Sequence, residues 1–212
     1  MSRDRQSFYL KRIVMGDLAT NCYLLGCLKT NEAAVIDPAE ESEILLDLID
    51  EKGFQLNYII NTHGHGDHIG GNKQLKEKYS AKLLIHQLDE GMLINPQKNF
   101  SFYMEKPIQS PAPDDYLRDG MCLNLGLHRL YIIHTPGHSP GSVSIRLNHI
   151  IFTGDTLFKE GIGRTDLPGG SQPVLMHSIK EKLLGLDSSS EILPGHGPAS
   201  TLKHELEYNP WL

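Results

Sequence analysis

Thr62-His63-Gly64-His65-Gly66-Asp67-His68-Ile69-Gly70-Gly71 is the stretch on which the reading of this chain turns. Three His and one Asp, all able to ligate a metal, fall between positions 63 and 68. An apolar run, Leu56–Ile60, precedes the segment and reads as a strand; Ile69–Tyr79 follows it and reads as a helix. A strand end delivers side chains to a sheet rim, and Gly64 and Gly66 let the backbone turn tightly between the ligands. In such a turn His63 and His65 can serve one ion while Asp67 and His68 serve another. Imidazole with carboxylate suits zinc first, and iron or manganese also fit. A lone His is ordinarily a satisfied surface or core side chain. With 11 His in 212 residues, three within six glycine-flanked positions are not a chance distribution.

Three later fragments repeat the layout of strand, glycine and ligand. Leu130–His134 leads into Thr135-Pro136-Gly137-His138-Ser139-Pro140-Gly141, Ile150–Thr153 into Gly154-Asp155-Thr156, and Ile192-Leu193 into Pro194-Gly195-His196-Gly197-Pro198. Each delivers one more ligand to the same rim. The set becomes His63, His65, Asp67, His68, His138, Asp155 and His196, enough for two divalent ions that share a carboxylate. Asp155 is the natural bridge, because a carboxylate has two oxygens and one imidazole cannot bridge in this way. His134, Thr135 and Thr156 are expected to support the ligands from behind.

The remaining pattern fits a layered fold. Phe8–Met15 and Asn21–Leu28 read as a hairpin around Gly16-Asp17, and Ala33–Ile36 as a short buried strand. Glu41–Lys52 carries Ile44, Leu45, Leu48 and Ile49 as a helical stripe that Gly53 closes. Lys82–Ile85, Leu127–His134, Ser142–Leu147, His149–Thr153 and Glu191–Leu193 read as strands, Pro173–Leu186 and Thr201–Tyr208 as helices. Strands followed by strand–helix alternation, twice over, imply two sheets packed face to face with helices outside. No linker or repeat divides the chain, so 1–212 reads as one domain. Residues 87–119 are broken by Pro96, Pro107, Pro111 and Pro113 and read equally as a lid or as a surface excursion.

Bulk properties narrow the partners. Apolar residues make up 39% and charged residues 22%, an ordinary globular balance. A net charge of −6 without basic clusters argues against nucleic acid. No run approaches the roughly 18 apolar residues of a membrane span, and no apolar signal core opens the chain. Cys22, Cys27 and Cys122 lack a zinc-type spacing and read as reduced thiols of a cytoplasmic protein.

His63-x-His65-x-Asp67-His68 with His138, Asp155 and His196 resembles the metallo-β-lactamase superfamily over nearly the whole chain. The resemblance implies an α+β fold, the four-layer αββα sandwich, with the metals at the sheet edge. It implies one ion on His63, His65 and His138, a second on Asp67, His68 and His196, and Asp155 bridging. Gly154-Asp155-Thr156-Leu157-Phe158, Gly163-Arg164-Thr165-Asp166, Pro194-Gly195-His196-Gly197-Pro198 and the ending Glu207-Tyr208-Asn209-Pro210-Trp211-Leu212 are most similar to compact glyoxalase II-like hydrolases. A class B β-lactamase fits less well, because those enzymes commonly place Cys where Asp155 stands and are usually exported.

That similarity implies hydrolysis of a small acyl-thiol, such as S-lactoylglutathione, or of an ester. A metal-bridging hydroxide would attack the carbonyl, oriented by Asp67, with Asp155 holding both ions. Arg164 stands at the spacing of a glutathione-binding Lys in glyoxalase II; it is expected to grip a substrate carboxylate or else to pair with Asp166. Pro198 and Asp166 replace two tyrosines of the glutathione site, and a chain ending at Leu212 is not expected to carry the C-terminal helical domain of that enzyme. The catalytic centre therefore transfers better than the glutathione pocket. Two rivals remain: a mononuclear-iron persulfide dioxygenase, which shares the fold and the Gly-Arg-Thr-Asp region, and a non-catalytic metal-binding module on the same scaffold.

Overall fold

A computed structural model describes residues 8–103 and 106–212. Strands β1 (Phe8–Met15) and β2 (Thr20–Cys27) form the antiparallel hairpin expected around Gly16. β3 (Glu32–Ile36), β4 (Gln55–Ile60), β5 (Lys82–His86) and β6 (Asp115–Leu117) follow in spatial order to complete a six-stranded sheet. From β3 onward the pairs are parallel, and parallel strands need crossovers. Helix α1 (Glu43–Glu51) supplies the first crossover, starting where Ser42 accepts a hydrogen bond from the Leu45 N–H. α2 (Gly66–Ile69) and α3 (Asn72–Tyr79) supply the second, and α4 (Glu90–Leu93) lies in the third.

The second sheet is built from β7 (Cys122–Leu125), β8 (His128–His134), β9 (Val143–Leu147) and β10 (Ile150–Gly154). A small hairpin, β11 (Leu157–Phe158) and β12 (Gly161–Ile162), and helix α5 (Gln172–Ser178) follow. β13 (Glu191–Pro194) then returns parallel to β10, β14 (Ser200–Thr201) covers its edge, and α6 (Leu202–Tyr208) comes last. The spatial order is β14-β13-β10-β9-β8-β7.

Alternation along the strands sets the layers. Tyr23, Leu25, Ile36 and Ile60 of one sheet meet Leu130, Ile145, Phe152 and Leu193 of the other. The opposite faces are covered: Leu24, Val35 and Ile59 pack under Leu45, Ile49 and Leu75, and Ile151 and Ile192 pack under Leu175, Ile179 and Leu202. All of β2 is therefore buried, although its sequence does not alternate in polarity. Helix, sheet, sheet, helix is the expected four-layer sandwich. β4, β8, β10 and β13 all end at one rim, where their loops meet.

The structure departs from the sequence pattern in several places, beginning with β7, the β11–β12 hairpin and β14, short strands for which the sequence pattern gives no expectation. The helix expected over Ile69–Tyr79 begins at Gly66 and breaks between α2 and α3. The break falls at Gly70 and Gly71, where the chain passes so close to its neighbour that a Cβ would stand 2.2 Å from the Ala39 carbonyl oxygen and 2.5 Å from that of Glu40. The helix expected over Pro173–Leu186 is α-helical only to Ser178 and continues as a π-turn through Leu183. Residues 87–119 contain β6, a three-residue edge strand too short to show a period. Phe152 is fully buried between the sheets, its ring edge-on to Tyr23 at 5.1 Å. We expect Phe152→Ala to cost about 3–5 kcal/mol, read as a lowered urea midpoint at unchanged slope.

Candidate metal centre

The rim brings all seven predicted ligand side chains together. Nε2 of His138 lies 3.2 Å from Nε2 of His63 and 3.0 Å from Nδ1 of His65. Nε2 of His68 lies 3.3 Å from Nε2 of His196, and Asp67 Oδ2 is 3.2 Å from His196 and 3.5 Å from His68. Asp155 stands between the groups: Oδ1 is 3.6 Å from His68, and Oδ2 is 3.5 Å from both His138 and His196. Three sets of donor atoms are close enough to hold a cation: His63, His65 and His138; His63, His68 and Asp155; and Asp67, His68 and His196.

What lies behind the rings fixes which nitrogen faces inward. His138 Nδ1 is 2.8 Å from the Arg164 carbonyl and His196 Nδ1 is 3.0 Å from the Leu18 carbonyl. A carbonyl only accepts, so both Nδ1 atoms carry hydrogen and both Nε2 atoms can present lone pairs. Thr62 donates its hydroxyl to Asp37 Oδ2 at 2.6 Å and so accepts from His63 Nδ1 at 3.1 Å. His68 Nδ1 donates to Asp37 Oδ2 at 3.0 Å. Asp37 thus orients two predicted ligands at once, and its Oδ1 accepts the Thr62 backbone N–H at 2.7 Å.

These groups fit a cation. Imidazole lone pairs pointed at one another 3.0–3.3 Å apart repel unless a positive charge lies between them. Donors about 2.0–2.1 Å from a tetrahedral zinc are themselves about 3.3 Å apart, which matches those separations. Asp155 Oδ1 is buried with no hydrogen-bond partner among the described residues, as a metal-facing oxygen would be. Burial holds His63 well below the usual imidazole range, and burial with the neighbouring His138 pushes His65 down to about 3. Burial opposes charge on His68 too, but Asp67, Asp155 and Asp37 outweigh it and lift its pKa to about 10. A proton and a metal ion compete for that field.

The sequence profile of the metallo-beta-lactamase superfamily matches residues 15–196. The chain belongs to this superfamily. The probable metallo-hydrolase YqgX of Bacillus subtilis is 37% identical over 205 residues, 95% of this chain and 96% of that one. Hydroxyacylglutathione hydrolase GloC of Haemophilus influenzae is 36% identical over 198 residues, 91% and 92% of the two chains. The mitochondrial persulfide dioxygenase ETHE1 of Bos taurus is 34% identical over 200 residues, 91% of this chain and 71% of its own. Among solved superfamily structures, the BLEG-1 B3 metallo-beta-lactamase superposes with a TM-score of 0.91 at 35% identity, covering 96% of this chain and 99% of that one. TTHA1623 in a di-iron-bound form gives 0.83 at 34% identity, with 95% and 100% covered.

Around this superfamily centre the chain adds supports that the sequence did not single out. Asp89 is fully buried and ties two ligand loops together, accepting from Gly64 N at 3.1 Å, Ser139 Oγ at 2.6 Å and Gly141 N at 2.7 Å. Asn21 Nδ2 donates to the Pro194 and Gly197 carbonyls, at 2.8 and 2.9 Å, and Tyr23 donates to Pro194, fixing the His196 loop. The expected supports act less directly. His134 reaches the Pro140 carbonyl at 2.9 Å rather than a ligand, while its ring stacks on His86 at 4.1 Å. The Thr135 and Thr156 hydroxyls bond each other at 3.1 Å, not a ligating ring. Arg164 pairs side-on with Asp166 at 2.8 and 2.9 Å, the second of its two expected roles.

A cavity of about 740 Å³ opens over the donors. Leu18, Phe100, Phe158, Ile162 and Leu167 form its apolar wall, and Arg164 stands at its edge. Phe100 brings residues 87–119 into the site: its ring lies edge-on to His65 at 5.2 Å, and the Asn99 carbonyl accepts from Gly66 N at 2.8 Å. This part of the segment lines the cavity. Asp155→Ala should lose more bound metal than any single His→Ala among the seven, as read by metal quantification after dialysis. Asp37→Asn should weaken metal binding about 10–100-fold, because both oxygens of Asp37 accept hydrogens and an amide would turn one N–H against another donor.

Proposed function

We propose that this protein is a two-metal hydrolase of thioester, or ester, bonds. His63, His65 and His138 would hold one cation and Asp67, His68 and His196 the other, with Asp155 placed to serve both. The observation that carries this reading is the convergence of the seven donors beneath a cavity that five of them line. The 36% identity to a hydroxyacylglutathione hydrolase supports the thioester class. Divalent ions bound there, zinc first, supply Lewis acidity and a water acidified towards a pKa of about 7.

The chain's own residues then have defined work. Asp67 is fixed by Thr20 Oγ1 at 3.3 Å and by His196, and it orients the attacking water by accepting its hydrogen. Water adds to the carbonyl carbon, the C–S bond breaks, and the acid and the thiol leave. Arg164 meets the substrate at the cavity edge with the N–H groups that Asp166 leaves free, so it serves binding rather than the chemical step. We assign the protein to the cytoplasm, where Cys22, Cys27 and Cys122 stay unpaired thiols. No helix among the described residues is long and apolar enough to cross a membrane.

Two other readings have specific support: ETHE1 at 34% identity for persulfide oxidation, and BLEG-1 at a TM-score of 0.91 for β-lactam opening. One panel separates them. Purified protein is assayed for metal content and for turnover of S-lactoylglutathione, simple acyl thioesters, a chromogenic cephalosporin and glutathione persulfide. We expect about two metal equivalents and thioester hydrolysis that a chelator abolishes. One iron with oxygen uptake on the persulfide, or faster ring opening of the cephalosporin, overturns the reading; inertness on every substrate leaves a metal-binding module. Arg164→Ala should raise KM several-fold with little change in kcat, measured on the best thioester.

A further inference from the structure

We propose that the cavity selects thioesters by an apolar acyl group of several carbons, on a carrier recognised without its charge. The inference rests on the hydrolase reading and adds the substrate class. The two ring walls flank the two donor groups: Phe100 lies edge-on to His65 at 5.2 Å, and Phe158 edge-on to His196 at 6.3 Å. Ile162 and Leu167 add to the apolar lining. A volume of about 740 Å³ falls within the roughly 300–1,000 Å³ that encloses a drug-sized ligand. That volume holds acyl group and carrier together, and its apolar lining favours an acyl chain that covers Phe158, Ile162 and Leu167 over one that leaves them facing water.

Among the polar groups on the wall, the Asn99 amide is largely engaged, which leaves the Arg164 N–H groups that Asp166 does not take and the His65 Nε2 as the polar contacts left for a substrate. Asn99 spends its amide hydrogens on the Met92 and Ile108 carbonyls at 2.9 and 3.0 Å, and its oxygen accepts from Ser101 N at 2.9 Å. Both donors of that side chain are spent, so toward a hydroxyl on the acyl group it offers only the second lone pair of its oxygen. The Arg164 charge is offset by the side-on Asp166. The adjoining cleft sets Asp17, Glu40 and Glu41 against Lys73 and Lys106, so it adds no net positive field for an anionic carrier.

The wall is also held in place. The β11–β12 turn that presents Phe158 and Ile162 is pinned from beneath by the C-terminal helix. Buried Glu205 accepts from Glu160 N at 2.7 Å, and Asn209 donates to the Gly161 carbonyl at 3.1 Å. A rigid apolar wall discriminates chain length, because each methylene it covers adds about three- to fourfold in binding.

The test pairs two series on the metal-loaded protein. The first is kcat/KM for acetyl, butyryl, hexanoyl and octanoyl thioesters of neutral N-acetylcysteamine, with lactoyl and hexanoyl glutathione alongside. The second is calorimetric binding of the matching S-alkyl thioethers, which cannot be hydrolysed. We expect both to rise about threefold or more per added methylene until the cavity fills, hexanoyl to outrun lactoyl, and the two hexanoyl carriers to differ by less than about threefold. Phe158→Ala should cost about tenfold on octanoyl and far less on acetyl; Phe158→Leu should restore most of the loss. Hydrolysis and binding that ignore chain length, or a preference for lactoyl, overturn this inference and leave the hydrolase reading standing. Chain-length-dependent thioether binding without hydrolysis of any thioester supports the cavity assignment and overturns the reaction.

Discussion

Burying several lone pairs and carboxylates face to face is costly unless a cation joins them, and this rim does so with seven side chains. The fold tolerates the arrangement because four of the five rings are hydrogen-bonded from behind, while His65 is held by packing against Phe100. Carbonyls hold His138 and His196, and Asp37 with Thr62 holds His63 and His68. The inward nitrogens are thereby fixed in direction before any ion arrives. Ligand rings that are preset in this way lose little side-chain freedom on binding. The supports are buried as well: Asp37 and Asp89 are almost fully enclosed, and every oxygen they carry has a donor.

The sandwich exists to make that rim. Parallel pairing of β3 to β6 and of β10 with β13 sends successive strand ends to the same edge, so loops distant in sequence meet there. The first sheet contributes the segment after β4, with His63 and His65 on the loop and Asp67 and His68 on α2. The second contributes the loops after β8, β10 and β13, with one donor each. Asp89 and Asn21 then stitch loops of the two sheets together across the seam.

Much of this was legible in the sequence, for a definite reason. Ligands next to glycines at the ends of apolar runs carry both their chemistry and their placement, so His63, His138, Asp155 and His196 could be assembled before any coordinates. Their supports could not. Asp37 meets Thr62 and His68 across 25 and 31 positions, and Asp89 meets Ser139 across 50, with no local pattern to mark either acid. Phe100 looked like one aromatic in a proline-broken loop; only the contact with His65 makes it a cavity wall. The ending Glu207–Leu212 was recognisable as a motif, but the bond from Asn209 to the β11–β12 turn emerges only in three dimensions. β6 and the π-turn after α5 depend on tertiary pairing and packing that no periodicity encodes.

Anomalous diffraction from crystals of the metal-loaded protein is the most direct measurement of the central claim. Two peaks are predicted, one amid His63, His65 and His138 and one amid Asp67, His68 and His196, with Asp155 touching both. A single peak, or a pair of ions that Asp155 does not join, would contradict it.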